Sequence, residues 1–176
     1  MLAFPYDAGL RREELCSLQS SDIDPSRRIL RIRAESTKGR CERALPSSAS
    51  SGELLVRYLE HRRTLGNKRG SLFLSESRRN YTEPISIGSW SKIDHQVAQR
   101  ASVERFSTHT LRHLCLTDLA HAGWDIQVIA SFAGHRSVQT TLLCINLSVS
   151  DLSLKLAAGV AQIHARRVQM LAEVVQ

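Results

Sequence analysis

The sequence predicts an α+β chain that is mainly α-helical. Apolar residues recur near a 3.6-residue period through most of it, from Leu10, Leu15 and Leu18 to Leu152, Leu156, Val160 and Ile163. Residues 28–33, RILRIR, and 41–46, CERALP, read as two strands around the tip STKGR. Leu72-Phe73-Leu74 reads as a further short, buried strand between the link GNKRGS and a polar loop at 75–84.

With 176 residues the chain is large enough to bury a real core as one domain. A net charge of +7 and a pI near 9.7 favour a polyanionic partner. Few aromatics are available to stack on single-stranded bases, so double-stranded nucleic acid is the expected partner. No apolar run approaches the ~18–20 residues that span a membrane. No charged segment leads into an apolar one as in a secretory signal. The expectation is a soluble, cytoplasmic protein without membrane contact. Cys16, Cys41, Cys115 and Cys144 lie far apart with no CxxC spacing, which argues against a zinc site or a disulfide framework.

Residues 1–9 read as the end of a helix whose beginning is missing, interrupted by Pro5. The next helix carries Leu10, Leu15 and Leu18 on its apolar stripe and Arg11 and Glu14 on its polar side; Ser20 to Pro25 ends it. The serines at 48–51 cap a helix over 52–65 with Leu54, Leu55, Tyr58 and Leu59 on its stripe. Its other face holds Arg57, Arg62 and Arg63, either solvated or in contact with phosphates. Residues 85–101 form a helix with Ile87, Trp90, Ile93 and Val97 inward. The helix over 109–122 directs Leu111, Leu114, Leu116 and Leu119 to the core. Asp125 caps a helix that buries Ile126, Val128, Ile129 and Phe132. Gly134-His135 then turns the chain back into a Thr-rich turn, Ser137 to Thr141, that leads to Cys144. A long amphipathic helix over 149–176 follows the domain formed by 1–148.

Residues 107–148 carry the chemistry. His109 and Arg112 lie three apart on one helical face. Arg112 is a permanent cation whose planar fork suits a phosphate. With His135, an imidazole, a guanidinium and a second imidazole can converge on one pocket. Such a pocket holds a phosphate and moves a proton near neutral pH.

HTLRH at 109–113, AGH at 133–135 and QTT at 139–141 resemble the C-terminal signature of the tyrosine recombinases, the phage-type integrases and chromosome resolvases. That signature reads H-x-L-R-H, L-G-H and T-T-x-x-Y. GLRREEL at 9–15 is similar to the family's first catalytic box, and TKGRCERALP at 37–46 to its β-hairpin. The resemblance implies a tyrosine-recombinase catalytic core, mostly helical with a small three-stranded antiparallel sheet, residues 72–74 supplying the third strand. It places Arg11, Arg112 and His135 around the scissile phosphate, with Glu14 supporting them. His109 would hold the phosphate or transfer a proton. Lys38, at the hairpin tip, would protonate the leaving 5′ oxygen. His113 would be structural. Arg40 and Arg136 join Arg11, Lys38 and Arg112 as DNA contacts. Neither a metal nor another cofactor is implied.

The implied activity is site-specific recombination and integration of double-stranded DNA through a covalent 3′-phosphoprotein intermediate. The implied assembly is a homo-oligomer on DNA, a tetramer in the family. One position departs: the nucleophilic tyrosine falls on Cys144, and Tyr6, Tyr58 and Tyr81 all lie upstream. Strand cleavage is therefore expected to be impaired. The alternative is a catalytically inactive integrase remnant that acts only as a DNA-binding module. In the family the C-terminal helix often packs into a neighbouring subunit; residues 149–176 would pack in that way or dock on their own core.

Overall fold

The fold is taken from a computed structural model that describes residues 2–37, 42–65, 70–104, 106–145, 156–157, 159–167 and 169. The chain divides into two units, 1–145 and 146–176. In the first unit the helices are α1 (Ala3–Asp7), α2 (Arg12–Ser17), α3 (Ala49–Thr64), α4 (Ile87–Arg100), α5 (Thr108–His121), α6 (Ile126–Ala133) and α7 (Val138–Cys144). The strands are β1 (Ile23–Asp24), β2 (Ile29–Ile32) and β3 (Arg43–Pro46).

Side-chain caps decide where the later helices start. Ser48 accepts from the Ser51 amide, Ser86 from Ser89, Ser107 from Thr110, Asp125 from Gln127 and Val128, and Ser137 from Gln139. Each oxygen satisfies an amide that has no partner inside its own helix. The cap at Ser137 explains one departure from expectation. The stretch 137–141 is the first part of a helix, not a turn, because Ser137 gives it a start and nothing breaks it before Cys144.

The sheet is antiparallel in the order β1-β2-β3. Leu30 and Ile32 alternate inward on β2, and Leu45 does so on β3. Arg31 points outward and pairs with Glu42 at 2.6 Å. The third strand is Ile23–Asp24, which corrects the assignment of that place to residues 72–74. Those residues are buried, but their backbone groups are used elsewhere. The Leu72 amide donates to Leu18 O, and Leu72 O accepts from the Tyr58 hydroxyl and from Arg62 Nε. Phe73 O accepts from the Ile85 amide, and the Leu74 amide donates to the Tyr58 hydroxyl. The segment makes only isolated antiparallel bridges among the described residues, Gln19 to Ser71 and Leu74 to Pro84, and no ladder with β1, β2 or β3.

The same contacts settle Arg62. It is 3% exposed and also donates from Nη2 to Ser71 O at 2.7 Å, so it braces a loop from inside and does not face solvent or a phosphate.

The main core joins Leu10, Leu15 and Leu18 to Leu30, Ile32, Leu45, Leu55, Phe73 and Trp90. A second cluster, Leu116, Ala120, Ile129 and Ala133, lies where α5 meets α6. Four residues expected inside are exposed: Leu54 (51%), Ile87 (42%), Leu114 (49%) and Val128 (51%). On α5 the reason is visible. The buried arc runs through Thr108, Arg112, Cys115, Leu116 and Ala120, so an arginine occupies the centre of the inward face and turns Leu114 out. On α6 the buried arc is Ile129, Ala130 and Ala133, and the small alanines let a neighbouring element come close.

In the second unit, residues 156–157, 159–167 and 169 are helical. Leu152, Val168 and Leu171 of the expected stripe lie outside the residues whose side chains are described. Among the described residues no helix is long and apolar enough to cross a membrane.

Candidate active site

The site grows from the start of α2. Arg11 is the N-cap, and Glu14 sits at the third helical position, so its carboxylate reaches back to the helix start. Glu14 Oε2 accepts from the Arg11 amide at 2.9 Å, and Oε1 from Arg11 Nη1 at 3.0 Å. Strand β3 brings Arg43 to the same carboxylate: Nη1 donates to Oε1 at 3.0 Å and Nη2 to Oε2 at 2.8 Å. One buried anion, 1% exposed, thus aligns two guanidiniums. Burial pushes the Glu14 carboxyl up, but the hydrogen bonds and charge of Arg43, then those of Arg11, outweigh it and hold it below the usual range.

Arg112 enters from α5 and is 3% exposed. Its Nη1 donates to Gly9 O, and its Nη2 donates to Ala133 O at 2.6 Å and to His135 Nε2 at 2.9 Å. Burial, followed by the charge of Arg11, lowers its guanidinium to about 10, which leaves it charged at neutral pH. Gly9 and Gly134 make these carbonyl contacts possible. Both adopt positive φ, +54° and +65°, where a side chain is strained.

His135 follows Gly134, the left-handed cap of α6. Its Nδ1 lies 2.9 Å from the hydroxyl of Thr141, a fully buried residue of α7. Burial, then the charges of Arg112, Arg11 and Arg43, lower this imidazole to about 4, so it is neutral at pH 7. Cys144 ends α7, half-buried against the cluster of Leu116 and Ile129. Its charge when ionised bears on Arg112. His113 Nδ1 donates to Cys144 O at 2.9 Å.

Arg11, Glu14, Arg112 and His135 are therefore brought together, with Cys144 beside them. His109 is not. It is exposed and borders a cavity of about 340 Å³ with Arg12, Asp94 and His95. Among the described residues no hydrogen bond joins His109 to Arg112 or His135. The imidazole one turn before Arg112 is exposed, beside the buried arc that Arg112 occupies. Arg136 is exposed. Lys38 and Arg40 lie outside the described residues. Among the described residues no group of three or more His, Cys, Asp or Glu could hold a metal ion.

Two residues of the cluster were not foreseen. Arg43 had a signal: it stands two before the buried Leu45 on a strand, so a period of two puts a guanidinium on the inner face. Thr141 had none, because nothing in the sequence says that its hydroxyl meets His135.

This mainly helical fold with its small antiparallel sheet is that of a tyrosine-recombinase catalytic core. The chain belongs to the phage integrase family, whose pattern it matches over residues 1–164. It is 30% identical over 166 residues to tyrosine recombinase XerC of Corynebacterium efficiens, covering 94% of this chain and 50% of that protein. It is 32% identical to XerC of Thermodesulfovibrio yellowstonii, over 84% of this chain and 49% of that one. The crystal structure of XerA recombinase superposes with a TM-score of 0.77 at 26% identity, over 89% of this chain and 54% of that one. The structure of XerH recombinase bound to palindromic difH substrate shares the fold, with a TM-score of 0.73 at 20% identity over 89% and 43%. The chain spans about half the length of the curated relatives it matches.

Proposed function

We propose that the chain is the catalytic half of a site-specific DNA recombinase, with a phosphate-holding cluster in place and Cys144 at the nucleophile position. The observation that carries this reading is the pairing of Arg11 and Arg43 to the buried Glu14 carboxylate, with the buried Arg112 close enough to feel the charge of all three. Three guanidiniums against one carboxylate leave net positive charge in a partly desolvated place. A phosphodiester gains negative charge on its non-bridging oxygens when it is attacked, and Arg11 and Arg112 are the groups to stabilise it. In a chain with tyrosine at 144, the phenolate oxygen forms a bond to phosphorus and the bond to the 5′ oxygen breaks. The leaving oxygen takes a proton from Lys38. The partner is double-stranded DNA, held by a homo-oligomer, with Arg40 and Arg136 among the contacts.

A second reading, an integrase remnant that binds DNA without cutting it, is favoured by Cys144 itself. Its thiol is on a short side chain packed against apolar residues, in a place the family fills with a phenol. Both readings require DNA binding through phosphates. The logarithm of affinity for a DNA duplex is expected to fall linearly with the logarithm of salt concentration, and Arg11→Gln is expected to reduce that slope by about one. Affinity independent of salt contradicts both readings.

A further inference from the structure

We propose that Thr141 is the positioning residue that fixes His135 as a neutral imidazole with its proton on Nδ1, so that its Nε2 lone pair meets the Arg112 fork at the phosphate site. This deepens the reading of Arg11, Arg112 and His135 as a phosphate-holding cluster, and it rests on that reading for its function.

The roles follow from the donors. A guanidinium has no acceptor, so the 2.9 Å contact between Arg112 Nη2 and His135 Nε2 requires a lone pair on Nε2. A neutral ring with a lone pair on Nε2 carries its proton on Nδ1 and needs an acceptor there. Thr141 Oγ1 is that acceptor, at 2.9 Å. The tautomer of a histidine is set by the bond that its other nitrogen makes. Here the partner is immobilised: Thr141 is fully buried on α7, and Ser137 starts that helix two residues after His135. Arg112 is equally fixed, because Gly9 O and Ala133 O hold its fork.

Protonation of Nε2 would set a cation against Arg112, with Arg11 and Arg43 nearby and only Glu14 to offset them. The wall of the site thus excludes the imidazolium. Thr141 and Cys144 lie three apart on the same short helix, so the residue that orients the imidazole also shares a face with the nucleophile position.

The test is ring-nitrogen NMR on the whole chain, labelled with nitrogen-15 at histidine and free of DNA. Each of its nuclei reports the tautomer directly, whether or not the chain cleaves DNA. At neutral pH the His135 ring is expected to show a protonated Nδ1 and an unprotonated Nε2. Thr141→Ser is expected to keep that pattern. Thr141→Val, which keeps the shape and removes the acceptor, is expected to weaken that preference and to lower the pH at which the ring titrates, because the hydroxyl also accepts from the Nδ1–H of the imidazolium. A protonated Nε2 in the unsubstituted chain overturns the proposal without any variant. So does a Thr141→Val spectrum that matches the unsubstituted one. DNA affinity independent of salt, with this tautomer present, would count against the phosphate-site reading alone.

Discussion

The guanidinium of Arg43 lies where a side chain on Gly134 would go. A Cβ built on Gly134 falls 2.7 Å from Arg43 Nη1 and 3.1 Å from its Cζ. Gly134 also has φ +65°. The glycine before His135 thus serves two purposes, a left-handed turn and a close approach, and it ties the α6–α7 turn to β3 and through Arg43 to Glu14.

Gly134→Ala is therefore expected to destabilise the chain by about 2–4 kcal/mol, from the left-handed backbone and the displaced guanidinium together. Gly134→Asn, which tolerates that backbone better, is expected to lose less. In a double-mutant cycle Gly134→Ala and Arg43→Ala are expected to be non-additive, because the second removes the clash that the first creates. Chemical denaturation measures all of these; additive losses would count against the contact.

Glu14→Gln keeps the shape and removes the anion. Arg43, with its side chain 9% exposed, would be left without its ion pair. The expected cost is about 3–5 kcal/mol, as for breaking one side of a buried pair. Thermal unfolding of the variant checks this, and a loss below about 1 kcal/mol would show that Arg43 finds another partner.

Acid is expected to act on the same cluster. The folded imidazole of His135 titrates near 4, below its usual 6.5, so the unfolded chain binds the proton first. Stability should fall as the pH drops through 6.5 and keep falling to about 4. Glu14 is also held below its ordinary value, so its share is present above the unfolded carboxylate range and is lost as pH falls through the folded value. Stability measured against pH, with and without His135→Gln, separates the two: the variant should keep the lower limb and lose the upper one.

Arg62→Ala is expected to cost about 1–3 kcal/mol by taking the Arg62 donor from Ser71 O and leaving Leu72 O to the Tyr58 hydroxyl. The salt dependence of DNA affinity should be unchanged. A smaller salt slope in a stably folded variant would restore the phosphate-contacting role that burial argues against.

Much of this was legible in the sequence because the signals are local. Caps at Ser48, Ser107 and Asp125 and the glycine at 134 mark helix ends, and β2 alternates Leu30 and Ile32 as a half-buried strand must. Arg11, Glu14, Arg112 and His135 were legible as one set because their order and spacing match a family pattern. What was not legible depends on partners distant in sequence. Residues 72–74 look like a strand, yet Tyr58 and Arg62 take their backbone groups. Leu114 and Val128 fit an apolar period, yet the buried arc is narrower than that period and Arg112 holds its centre on α5. His109 fits the spacing, yet its side chain is exposed at the edge of the face on which Arg112 is buried.

The central claim is that the phosphate-holding cluster is assembled and that position 144 alone separates this chain from strand cleavage. The direct measurement is covalent trapping on nicked duplexes made from the DNA that flanks this chain's gene, with the chain and Cys144→Tyr run side by side. The account predicts a detergent-resistant protein–DNA adduct with Cys144→Tyr and none with the unsubstituted chain. No adduct from Cys144→Tyr on DNA that it demonstrably binds, or an equal adduct from both, would contradict it.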